Sequence, residues 1–146
     1  MFRIQTLLGL LFCGFFLLGC EVKQSIKSPH WGKDTCSVCR MAITEPLHAA
    51  QLAGPGAQVR FYDDLGCAVN AILTQSAPAE AKLYVPKPGS PDVWVEASQT
   101  RFADGQKTPM DYGFSPAADG AFSIDQVIAT LREKNGARWQ VPTSAP

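Results

Sequence analysis

The chain has no excess of either charge, hardly any histidine and, beyond its first eighteen residues, no long apolar run. Thirteen Lys and Arg stand against thirteen Asp and Glu in 146 residues. That balance offers no basic face for nucleic acid and no acidic tail, so no nucleic-acid partner is expected. The two histidines, His30 and His48, make no His-x-x-x-His pair, and there is only a single Cys-x-x-Cys. A structural zinc usually draws about four Cys or His ligands from two paired half-sites, so zinc finds no support here. What is present instead is sulfur at close spacing. Asp34-Thr35-Cys36-Ser37-Val38-Cys39-Arg40-Met41 places two thiols and a thioether in one short stretch. Soft sulfur donors select Cu(I), and a thioether serves neither zinc nor dithiol exchange, so Met41 turns the reading toward copper. Packing in a core is the other ordinary fate of a methionine.

Residues 1–19 are set apart. Arg3 precedes the apolar Leu7 to Leu18 stretch, which is shorter than the roughly 20 residues of a membrane-spanning helix and has the length of a secretory signal. The segment ends in Leu17-Leu18-Gly19-Cys20, which resembles the lipobox of bacterial lipoproteins, with Cys20 as the lipidated first residue of the mature chain. By the same resemblance, Glu21 after it favours retention at an outer membrane. Residues 20–33 are polar, contain Pro29 and Gly32, and read as a tether. With Cys13 and Cys20 set aside, Cys36, Cys39 and Cys67 remain as exported thiols. An odd number fits a metal site at least as well as a set of structural disulfides.

The rest predicts an α+β fold of two small related subdomains, residues 34–90 and 91–142, each roughly ββαβ. In the first, β-like pieces at 48–53 and 58–62 lead to a helix capped by Asp63 or Asp64, with Leu65, Ala68, Val69 and Ile72 at i, i+3, i+4, i+7. A strand at 82–85 follows. In the second, strands are expected at 93–97 and 112–115. Ser123-Ile124-Asp125-Gln126 has the form of a capping box, and Ile124, Val127, Ile128 and Leu131 repeat the helical stripe. That helix is expected to stop near Asn135-Gly136, with a last strand at 137–141. Superposing Asp64 on Ser123 aligns the two helices. Trp94 and Trp139 read as strand core.

A Cys-x-x-Cys by itself is compatible with a redox pair, a disulfide or a metal clasp. A thioredoxin-like pair opens a helix that activates the thiol, and Met41-Ala42-Ile43-Thr44 with Pro46 promises no long helix. Cys67 projects away from the apolar stripe of its helix. It is open either to a metal or to a semi-buried resting place.

Cys39-Arg40-Met41, Phe61-Tyr62-Asp63-Asp64 with Cys67, Val93-Trp94-Val95-Glu96-Ala97 and Thr108-Pro109-Met110-Asp111-Tyr112-Gly113-Phe114 resemble, in order, the successive motifs of the NosL family. These are lipid-anchored copper-binding accessory proteins of nitrous oxide reductase. The resemblance runs from about Trp31 to Leu131. It implies a periplasm-facing Cu(I) chaperone of two ββαβ subdomains, non-enzymatic, with a copper-acceptor enzyme such as nitrous oxide reductase and a membrane copper-supply complex as partners. Carried over, Cys39 and Met41 match the family's Cys-x-Met and Met110 matches the methionine of its second motif. Cys36 adds a thiol found in part of the family. The family's imidazole ligand would fall to His48 ahead of His30. Where the family usually has glycine after these key residues, this chain has Arg40 and Asp111. The expected site is therefore one Cu(I) held across the subdomain boundary by Cys36, Cys39, Met41 and Met110, with His48 as a further ligand. The rivals are a thiol–disulfide oxidoreductase using Cys36 and Cys39, and an interaction lipoprotein in which they form a structural disulfide.

Overall fold

A computed structural model describes residues 25–143. The expected signal segment, residues 1–19, and Cys20 lie outside the described residues. Four strands form one antiparallel sheet: β1 (Ala50–Ala53), β2 (Val59–Tyr62), β3 (Lys82–Lys87) and β4 (Ser90–Glu96), in the order β2-β1-β3-β4. Helix α1 (Leu65–Leu73) connects β2 to β3 and packs on β1 and β2. Two-residue strands β5 (Phe102–Ala103) and β6 (Ser115–Pro116) pair as a short ribbon, and α2 (Ile124–Trp139) closes the chain against α1. The fold is α+β, as the hydrophobic periodicities predict.

β1 is an unusual central strand because its sequence is Ala-Gln-Leu-Ala, poor in the β-branched residues that favour strands. All four residues are buried. Small side chains suit a strand covered on both faces, since they let neighbouring elements approach closely. Leu52 pairs with Leu83, while the side chain of Gln51, also fully buried, clasps the chain coming from the N-terminus. Its Nε2 donates to the Lys27 carbonyl at 2.9 Å and its Oε1 accepts from the Lys27 amide at 3.1 Å. The segment expected to be tether up to residue 33 is therefore docked on the domain from Lys27 onward.

The first ββαβ unit is present in the predicted order, as β1, β2, α1 and β3. The second half is built differently. β4 forms a hairpin with β3 across Pro88-Gly89, where Gly89 takes a φ of 77°. The expected boundary at 90/91 thus lies inside a hairpin, and the two halves share one sheet. The last expected strand, 137–141, is helix as far as Trp139. Gly136 does not stop α2 because tertiary contacts carry it on: the Trp139 ring meets Tyr112 edge-to-face at 5.4 Å, and the Arg138 guanidinium lies over the same tyrosine at 5.7 Å. Packing outweighs the roughly 1 kcal/mol helix cost of one glycine. The expected strand at 112–115 shrinks to Ser115–Pro116.

Candidate metal centre

The Cys-x-x-Cys lies on a tight loop rather than at a helix start. Thr35 and Ala42 form an isolated antiparallel bridge, the Cys36 amide donates to the Met41 carbonyl at 2.8 Å, and the Arg40 amide donates to the Cys36 carbonyl at 3.1 Å. Closing the loop requires Arg40 to adopt a left-handed φ of 69°. The Ser37 amide donates to the Phe61 carbonyl at 2.9 Å, fastening the loop to β2. Both cysteines are thereby held over the junction where β2 gives way to α1.

That junction supplies the rest of the site. Asp63 follows the last residue of β2, and Cys67 is on the first turn of α1 four residues later. One donor atom from each of Cys36, Cys39, Asp63 and Cys67 lies within 4.8 Å of the other three. Three soft thiols and one carboxylate so close together could hold a metal ion. Cys36, Cys67 and Asp63 are buried and Cys39 is partly exposed, so the cluster opens to solvent on the Cys39 side. All three thiols are free.

The polar hydrogens of the cluster are shared internally. The Cys39 thiol donates to both Asp63 oxygens, at 3.2 and 3.3 Å. A hydrogen bond from the Cys67 thiol stabilises the Cys36 thiolate against the cost of burial and pulls the Cys36 pKa down to about 6. Burial, followed by the neighbouring Cys36 and Asp63, pushes Cys39 up to about 12. Cys67 is raised as well, because it is the hydrogen-bond donor to Cys36 and is buried. One ready thiolate thus sits beside two protonated thiols. Beneath them Tyr62 is raised to about 12, chiefly by burial.

Asp64, the next residue along, joins the two halves. It is fully buried, and as N-cap of α1 it accepts from the Gly66 amide at 2.8 Å. Its other oxygen accepts from the Thr108 hydroxyl at 2.6 Å and from the Met110 amide at 2.9 Å. The Thr108-Pro109-Met110-Asp111 turn closes with the Asp111 amide donating to the Thr108 carbonyl at 3.0 Å, and Asp111 takes a left-handed φ of 55°. Close approach of this turn to α1 depends on Gly66, where a Cβ would come within 2.1 Å of the Tyr112 ring.

Of the residues expected as ligands, Cys36 and Cys39 come together. Met110 is brought to the N-terminus of α1 by its backbone and packs half-buried against the core. Met41 is 50% exposed on the outer side of the loop. His48 is not part of the cluster: its Nδ1 is paired with the Ser115 hydroxyl at 2.7 Å and its Nε2 lies 3.8 Å from Glu45. His30 pairs with Asp34. Asp63 was readable only as a helix cap and Cys67 only as a thiol of open purpose. The signal for both was their i, i+4 spacing across a strand-to-helix junction.

No protein-family model matches the chain, and no curated protein matches it. Among the described residues, no helix is long and apolar enough to cross a membrane.

Proposed function

We propose that the protein is a non-enzymatic Cu(I) chaperone, lipid-anchored through Cys20 at a periplasm-facing membrane surface, that delivers copper to a periplasmic copper enzyme, with nitrous oxide reductase as acceptor. The observation that carries the reading is the convergence of three thiols within 4.8 Å with one of them, Cys39, partly exposed. Cu(I) accepts thiolates in low coordination numbers and tolerates thioethers, so Cys36, Cys39 and Cys67 form the holding set. Before loading, the Asp63 carboxylate accepts the hydrogen bond of the Cys39 thiol. Met41, half-exposed on the same loop, and Met110, whose turn is bound to the α1 cap, are the thioethers that would meet copper during exchange. A site with one partly exposed thiol suits stepwise exchange onto the ligands of a partner.

Titrating the reduced protein with Cu(I) against a competing chelator tests this. About one Cu(I) per chain is expected, with binding severely weakened in each of Cys36→Ser, Cys39→Ser and Cys67→Ser. Met41→Ala is expected to leave retention nearly intact and to slow transfer to an acceptor chelator. A stoichiometry near zero in the reduced wild type ends the copper reading.

A further inference from the structure

Two carboxylates follow β2, both buried, and the fold makes full use of only one. Asp64 accepts from the Gly66 amide, the Thr108 hydroxyl and the Met110 amide. Asp63 is 2% exposed, and among the described residues no ion pair reaches it. The one donor within hydrogen-bond distance of its oxygens among those residues is the Cys39 thiol, at 3.2 and 3.3 Å. A buried carboxylate with so little to offset its charge is costly to a fold. Its position, with an oxygen within 4.8 Å of all three thiols, points to a role in the cluster.

Metal loading takes that one donor away. A thiol gives up its proton to bind a soft metal. The Asp63 carboxylate, which accepts a hydrogen bond from Cys39 in the metal-free form, then faces a sulfur anion. Like charges this close in a buried setting repel strongly, because little water screens them. Cu(I) carries a single positive charge and prefers sulfur, while carboxylate oxygens suit harder ions, so copper gives Asp63 little in return. The hydrogen bond favours the metal-free form and the charge penalises the loaded one, both through the same sulfur. We infer that Asp63 sets how readily the site gives up copper, by making Cys39 the most weakly held of the three thiolate ligands and the first to leave. Cys39 is also the partly exposed thiol, so the ligand that lets go is the one a partner can reach. The inference rests on the cluster holding Cu(I) through its three thiols.

Asp63→Asn in the full chain tests it, with a competing chelator to read Cu(I) affinity and an acceptor chelator to read the rate of transfer. Removing the charge and offering an amide donor to the Cys39 sulfur should tighten Cu(I) binding about tenfold and slow its transfer to match. Asp63→Ala, which removes the charge without adding a donor, should tighten binding by a smaller factor. The gain should vanish in a Cys39→Ser background, where the sulfur it acts through is gone. Tighter binding is not a result that damage to the fold produces. Unchanged affinity overturns the inference, and so does a gain that survives Cys39→Ser. A fall in affinity in both variants overturns it too, by marking Asp63 as a ligand or a support of the fold. Wild-type protein that binds no Cu(I) defeats the copper reading and the inference together, whereas wild-type binding with no gain in the variants defeats the inference alone.

Discussion

The two helices begin alike and are used differently. Each has an N-cap side chain accepting from the backbone, Asp64 from the Gly66 amide and Ser123 from the Gln126 amide. In α2 the bond completes a local capping box, with the Gln126 side chain accepting from the Ser123 amide, and the matter ends within one turn. In α1 the cap carboxylate also reaches 44 and 46 residues along the chain, to Thr108 and Met110. Burial follows the same division: α1 is covered on nearly all sides, whereas α2 buries Val127, Leu131 and Trp139 and exposes much of the rest. A helix that carries a site is embedded so that its first turn is fixed from several directions. A helix that only covers a core needs one apolar stripe.

The comparison breaks most sharply at Asp64. Asp64→Ala removes a cap and strands two donors from the second half, and should cost about 4 kcal/mol in urea unfolding. Ser123→Ala loses a local cap worth about 1 kcal/mol, so near-equal losses would erase the distinction.

The next effect belongs to the thiols that the α1 junction gathers. Above pH 6 Cys36 is already a thiolate, while Cys39 and Cys67, both raised, still carry protons that the metal must displace. Two protons released per metal mean that affinity rises with pH by about 100-fold per unit, or about 2.7 kcal/mol. Below pH 6 Cys36 is protonated too, and the slope steepens to about 1,000-fold per unit. Chelator competition at several pH values reads this directly. A rise of only about tenfold per unit above pH 6 would strike one thiol from the ligand set.

Glycines sharpen the contrast further. Gly66→Ala drives a Cβ into the Tyr112 ring and should destabilise by about 2 kcal/mol, as overpacking does. Gly136 in α2 meets only the Arg132 side chain at an ordinary 3.8 Å. Gly136→Ala should therefore stabilise by about 0.5–1 kcal/mol through helix propensity. Thermal melts of the two variants should move in opposite directions.

Much of this was legible in local sequence. The capping box at Ser123, the cap at Asp64, the helical stripes and the Cys36–Cys39 pair are short-range signals, and each element begins where they place it. Arg40 and Asp111 both adopt the left-handed backbone that glycine takes most cheaply. Other features of the fold were not legible. Helix α2 continues past Gly136 because of aromatic contacts with Tyr112, β4 joins the first sheet through a hairpin, and His48 is spent on Ser115. Each depends on a partner distant in sequence, which periodicity does not report.

The sequence by itself determined which atoms are available: three thiols and two methionines beyond residue 20, one of the methionines two residues from Cys39, with few histidines to compete. It also set the α+β class, because hydrophobic period and capping chemistry are properties of neighbouring residues. Only the tertiary structure decided that Cys67 and Asp63 join Cys36 and Cys39, that Met41 faces outward, and that the Met110 turn is bound to the α1 cap. A ligand set is a matter of distances between side chains on different elements. Those distances exist only once the loop is fastened to β2 and the second half is closed onto Asp64.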